Sequence, residues 1–192
     1  MKNDFTEVRS TFDPKNDIGM ASELNSRKIW ITSDTHFNHK NILVYESANR
    51  PFKDRTDMDE QLISRWNSVV GKDDVVFHLG DFAFAGEKKI RKYVERLNGR
   101  IYLLLGNHDR VRNFDWNSLG FSRVLTEPFL FDGMYIMSHE PLDNIPDGKV
   151  NLFGHVHGSE CFKTTTNNSA CLCVERWNCE PVDYDFVRLF FD

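Results

Sequence analysis

The chain has 192 residues, of which 40% are hydrophobic and 13% aromatic, and a formal net charge of −5. That length suits one domain with a sizeable core and is short for two. No apolar stretch approaches the ~18 residues of a membrane span, and Met1-Lys2-Asn3-Asp4 leads into no apolar signal-peptide core, so a cytoplasmic location without a membrane partner is expected. The negative charge disfavours coating long duplex nucleic acid by phosphate neutralisation and leaves room for small phosphate-bearing partners.

Residues 1–26 are polar, interrupted by Pro14 and Gly19, with Phe5, Val8 and Phe12 as apolar positions. They read as an extension on a domain covering 27–192, more a surface arm than a partner-binding segment. Lys28 to Ser33 reads as the first core strand from its β-branched and aromatic content. Asn38 is expected to cap a helix carrying Ile42 and Tyr45. Thr56 with Asp59 resembles a capping box for a helix whose stripe is Met58, Leu62, Trp66 and Val69, closed by Gly71.

Asp74 to Leu79 is the second strand, and Ile90, Tyr93, Val94 and Leu97 form the apolar face of a helix stopped at Asn98-Gly99. Arg100 to Leu105 returns as a strand, so strand, helix and strand form a parallel crossover. Val111 to Gly120 reads as a loop. Short strands are expected around Val124, Phe129 to Phe131 and Met134 to Met137, with Asp132-Gly133 as a hairpin turn. Glu140 to Gly148 is a loop, and Cys171 to Trp177 and Pro181 to Phe191 are the final strands. A first half of β-α-β and a mostly β second half imply an α/β fold of two facing sheets with outer helices. Cys161, Cys171, Cys173 and Cys179 lack zinc-knuckle or Cys-x-x-Cys spacing and read as reduced packing thiols.

The chemistry concentrates in the histidines. His36, His39, His78, His108, His139, His155 and His157 each lie in or beside a segment where an apolar run gives way to Gly, Ser, Asp or Asn. Five strand-like runs thus each deliver a potential ligand at the C-terminal end, the edge where open α/β sheets build sites. If the strand ending at Gly154 stays extended, His155 and His157 fall on one side of it and reach one inorganic centre.

Together, Asp34-x-His36, Gly80-Asp81, Gly106-Asn107-His108-Asp109, His139 and Gly154-His155-x-His157 resemble the five signature blocks of the calcineurin-like metallophosphoesterases, in order. In detail they are similar to the small prokaryotic and phage members. The resemblance implies a four-layer α/β/β/α sandwich and a two-metal site. It implies that Asp34, His36, Asp81 and His157 hold one ion, that Asp81, Asn107, His139 and His155 hold the other, and that Asp81 bridges.

Carboxylate, imidazole and amide donors without thiolate suit manganese first, and also iron, zinc, nickel or cobalt. Two ions about 3.5–4 Å apart would lower the pKa of a bridging water and clamp the phosphoryl oxygens for in-line attack. His108 is the candidate for protonating the leaving oxygen, and Asp109 for holding its tautomer. His39 could face the phosphate or cap a helix. His78, inside a strand, is a core hydrogen-bonding residue before it is a substrate contact. Arg50 and Arg110 are candidates for neutralising phosphate charge, or equally for exposed ion pairs. The expected activity is a metal-dependent phosphoric ester hydrolase, a phosphodiesterase on nucleotide-like or cyclic nucleotide substrates. The alternatives are a phosphomonoesterase, acting on phosphoprotein or a phosphorylated metabolite, and a catalytically silent metal-binding interaction module.

Overall fold

Side-chain alternation along three short strands sets the layering. In the computed structural model, which describes residues 27–191, these are β1 (Ile29–Thr32), β2 (Val75–His78) and β3 (Arg100–Leu104). Trp30, Val76, Ile101 and Leu103 join one apolar cluster, and Ile31, Val75, Phe77 and Tyr102 join a second on the opposite face. Burial on both faces is the mark of a parallel sheet inside an α/β protein, and β1, β2 and β3 are parallel neighbours. With β4 (Arg123–Leu125) and β9 (Val182–Asp183) the order is β4-β3-β2-β1-β9, the last antiparallel.

Helices α2 (Arg55–Val69) and α3 (Glu87–Arg96), which follow the short α1 (Ile42–Tyr45), cover one face of this sheet. Leu62, Trp66, Ile90 and Tyr93 lie in the same cluster as Trp30 and Val76. The other face packs on a sheet of order β5-β6-β7-β8, made of Phe129–Phe131, Tyr135–Met137, Val150–Phe153 and Ser169–Cys171. Phe129, Phe131, Met137 and Leu152 fill the space between the sheets. Two mixed sheets with flanking helices are therefore the architecture, as the alternation of strands and helices implies. Asp132 (φ 50°) and Gly133 (φ 68°) turn the β5–β6 hairpin, the left-handed pair that a tight hairpin demands.

Four local expectations are corrected. The cap of α2 is Asp54, whose side chain accepts from the backbone N–H of Thr56 and Asp57. Asp59 is buried instead and accepts from Asn38 N and the Tyr93 hydroxyl. Asn38 caps nothing: its φ is 66°, its amide donates to Phe84 O, and α1 begins after Asn41 without a side-chain cap. The final strand shrinks to β9, because Asp183 caps α4 (Tyr184–Arg188) by accepting from Asp185 N. Tyr184 and Val187, three residues apart, are the buried positions of that helix, a spacing an alternating strand pattern conceals. Within 111–120, Trp116–Leu119 forms a 3-10 turn that buries Trp116 and Leu119. The expected arm over residues 1–26 lies outside the described residues.

Candidate metal centre

Five strands end at one edge and bring the candidate ligands there. Asp34 and His36 follow β1, Asp81 follows β2, Asn107 follows β3, His139 follows β6, and His155 and His157 follow β7. The sheets are stitched together at this edge: Ser33 bridges to Cys173, and Val174 N donates to Ser33 O at 3.1 Å.

The chain leaves these strands through strained turns. Among the described residues, nine non-glycine residues have positive φ, and five of them are Asp34, His36, Asp81, His155 and His157. Such backbone costs about 1–3 kcal/mol per residue and gathers where a site over-determines it. Gly80, at φ 110°, permits a close approach, since a Cβ there would stand 2.6 Å from both Gly106 N and His139 Nδ1. At Gly106 a Cβ would run into the Asp81 carboxylate. The turns between strand and ligand thus need the missing side chain as well as the free dihedral.

Two groups of ligand atoms result, Asp34 with His36 and His157, and Asp81 with His139 and His155, each drawn together within 4.8 Å. Asp81 lies between them, with Oδ2 3.5 Å from His36 Nε2 and 3.5 Å from His139 Nε2. Asn107 Oδ1 is 2.8 Å from His139 Nε2 and 3.0 Å from His155 Nδ1, so it belongs with the second group. His155 and His157 do not share a strand face. β7 stops at Phe153, and left-handed turns send one ring to each group.

These residues fit divalent cations on three counts. Asp34 Oδ1 and His36 Nε2 are buried without a hydrogen-bond partner among the described residues, and they face each other at 3.8 Å. Buried polar atoms are rarely left so, because desolvation without a partner costs a few kcal/mol. His139 Nδ1 is 2.9 Å from Leu79 O. A carbonyl only accepts, so a proton sits on Nδ1, and a cation suits the other side of the ring, where Nε2 faces two further acceptors, Asn107 Oδ1 at 2.8 Å and Asp81 Oδ2 at 3.5 Å. The charge balance also asks for cations. Asp34, Asp81 and Asp109 are buried together, while the buried Arg50 is already paired with Glu175.

The titration tendencies agree with that deficit. Burial, reinforced by Asp34 and Asp109, pushes Asp81 up to about 7. Burial likewise pushes Asp109 up to about 6, although three backbone N–H groups oppose it. Burial drives His36 well below the ordinary imidazole value, the neutral form a metal ligand requires. Burial also opposes the charged form of His157, but the Glu175 hydrogen bond and the Asp34 charge outweigh it and raise the ring to about 9.

The remaining sequence candidates separate cleanly. His108 stands at the mouth, 45% exposed, with Nε2 4.0 Å from Asp81 Oδ2 and its backbone N–H on Asp81 Oδ1 at 2.9 Å. Asp109 does not orient that ring. Its carboxylate accepts from Asp81 N at 2.7 Å, Gly106 N at 3.0 Å and Phe82 N at 3.3 Å, tying the β2 exit to the β3 exit. His39 lies on the cleft wall, stacked on Phe84 with centroids 4.4 Å apart. His78 is buried behind the site, with Nε2 2.9 Å from Thr35 Oγ1 and its ring stacked on Trp66. Arg50 is also enclosed, its guanidinium committed to Glu175 and to the carbonyls of Thr35 and Asp34, so burial removes it as a direct phosphate contact. Arg110 is exposed, holds Thr126 O and does not line the cleft.

That cleft, about 620 Å³, opens over His36, His108 and His157 and is walled by Asn38, His39, Tyr45 and Phe84. Sequence reasoning did not single out Glu175, which is 2.9 Å from His157 Nδ1, or Cys173, whose thiol donates to Asp34 Oδ2 at 3.3 Å. The available signal for Glu175 was one acidic residue at the end of the apolar run from Cys171 to Val174.

A family model described as "Calcineurin-like phosphoesterase" matches residues 27–177. An uncharacterized protein of Methanocaldococcus jannaschii is 34% identical over 174 residues, covering 85% of this chain and 91% of its own length. The "Gene 66 protein" of Mycobacterium phage D29 is 38% identical, covering 83% of this chain and 94% of its own length. Among solved structures, a protein of unknown function from Aquifex aeolicus has a TM-score of 0.68 at 22% identity, with 86% of this chain and 100% of that chain covered. That likeness shows the shared fold.

Proposed function

Because the chain belongs to the calcineurin-like phosphoesterase family, we propose that it is a dinuclear metal-dependent phosphodiesterase acting on nucleotide-like or cyclic nucleotide esters. In this reading Asp34, His36 and His157 hold one divalent ion, Asn107, His139 and His155 hold the other, and Asp81 is shared. The observation that carries it is the position of Asp81 Oδ2, 3.5 Å from a histidine of each group. The donor set contains no thiolate, which favours manganese over softer ions.

Held by these residues, divalent ions would supply an activated water and a counter-charge for the phosphoryl oxygens. The chain's own residues supply the rest. Asp109 locks the exits of β2 and β3 together, so Asp81 and Asn107 keep their relative positions. His108, exposed at the mouth beside Asp81, reaches an ester oxygen without crossing the ligand shell and can hand it a proton. Phe84 and Tyr45 line the open side of the cleft, where a second ester substituent finds room. That room supports a diester over a monoester.

With manganese, bis-nitrophenyl phosphate is expected to be turned over with a kcat/KM at least ~10-fold above that of nitrophenyl phosphate, a difference of about 1.4 kcal/mol in barrier. A strong preference for the monoester would overturn the diesterase reading and leave a phosphomonoesterase.

A further inference from the structure

We propose that Arg50 and Glu175 are positioning residues that assemble one half of the centre, the Asp34, His36 and His157 group, and leave the other half independent of them. The inference rests on the two-ion reading and deepens it. Arg50 and Glu175 are 125 residues apart, and neither side chain is exposed. Three donors converge on one oxygen, Glu175 Oε1: Arg50 Nε at 2.8 Å, Arg50 Nη2 at 2.6 Å and His157 Nδ1 at 2.9 Å.

A carboxylate held by a guanidinium accepts and does not donate, so His157 Nδ1 carries its hydrogen. Its Nε2 then faces the gap beside Asp34 Oδ1, 3.8 Å away. The same guanidinium grips the strand that brings the other two ligands. Arg50 Nη1 donates to Thr35 O at 2.9 Å and Nη2 donates to Asp34 O. Those bonds fix the backbone exactly between Asp34, at φ 59°, and His36, at φ 48°. One buried cation therefore positions all three ligands of this group.

The second group is oriented by other means. His139 is set by Leu79 O, His155 lies against Asn107 Oδ1, and the Asp81 loop is tied by Asp109. A buried pair kept only for packing would affect both groups alike when removed. A pair that acts through His157 and the β1 exit affects one. Carboxylates behind metal-bound histidines typically change metal affinity by about 10–100-fold.

The test is calorimetric titration of chelator-stripped protein with Mn²⁺, with thermal melting of each variant as a check on folding. Wild type is expected to show two binding steps. Glu175→Gln is expected to weaken one of them by about 10–100-fold and leave the other within twofold. The weakened step is the one lost in His157→Ala and kept in His155→Ala. Since Glu175→Gln alone strands the Arg50 charge in the interior, the double variant Arg50→Met with Glu175→Gln removes both charges at similar volume and is expected to show the same one-step loss. Two steps at wild-type affinity in the folded variants, or equal weakening of both, would overturn the proposal. A wild type that binds fewer than two ions would sink the two-ion reading itself.

Discussion

Asp81→Asn is expected to lower metal-dependent kcat/KM by at least ~10³-fold while leaving the metal-free protein as stable as wild type or more so. The activity loss follows from Asp81 serving both ligand groups. Among the described residues, its carboxylate is the one acidic group within 3.5 Å of both His36 and His139, and losing one preorganised electrostatic partner at a reacting centre costs about 10²–10³-fold even when it serves a single role. Asparagine keeps the shape and an oxygen for the His108 N–H, now 2.9 Å from Oδ1, so the turn survives.

The stability half has a definite sign. Burial raises Asp81 to about 7 from an ordinary 3.8. A carboxylate raised on folding favours the native state fully below its unfolded value and loses that contribution as pH climbs through the folded value. Across pH 4 to 7, ionising Asp81 therefore works against the metal-free fold. Asparagine mimics the protonated form, so melting at pH 8 without metal is predicted to match or exceed wild type by a few kcal/mol at most. A variant that melts lower, or still turns over with metal, would contradict the bridging role.

His108→Ala is expected to lower kcat by about 10²–10³-fold on an ester with an alkoxide leaving group, with metal content unchanged. On nitrophenyl esters the fall is expected to be much smaller, because nitrophenolate leaves without a proton. The geometry separates this residue from the ligands. It belongs to neither group of candidate ligand atoms, and its Nε2 stands 4.0 Å from Asp81 Oδ2, whereas His36 Nε2 and His139 Nε2 each stand 3.5 Å from that oxygen. Removing an exposed ring at the mouth leaves the shell intact, so kcat falls without loss of metal. Equal losses on both leaving groups, or loss of an ion, would reassign His108 to the metal shell.

The clustering of the candidate ligands was legible because each follows an apolar run at a turn. Gly80-Asp81 and Gly106-Asn107 announce a strand that ends in a tight bend, and the periods of α2 and α3 mark the faces that cover the sheet. Less legible were contacts between segments far apart in sequence. Asp109 reads as a partner for its neighbour His108, yet its oxygens are taken by the backbone of residues 81, 82 and 106. Arg50 reads as a phosphate contact or an exposed ion-pair partner, but the fold buries it in an ion pair with Glu175 and against two carbonyls. In both cases the side chain satisfies buried backbone or charge that exists only once the strands are assembled. The strand-face argument for His155 and His157 failed for a local reason, although the family resemblance already sent the two to different ions. A two-residue spacing places side chains on one face only while the strand continues, and here the left-handed turns begin at His155. The end of the chain misled similarly, since Tyr184 and Val187 lie in a stretch too aromatic to betray a single helical turn.

The central claim, that these residues build a two-ion phosphoesterase centre, is tested most directly by titrating chelator-stripped protein with manganese while measuring bound metal and hydrolysis of bis-nitrophenyl phosphate in the same samples. The account predicts two ions per chain, no turnover in the stripped protein, and activity that appears as the second ion binds. Two bound ions with no turnover across a panel of phosphate esters would contradict it and leave a metal-binding interaction module in its place.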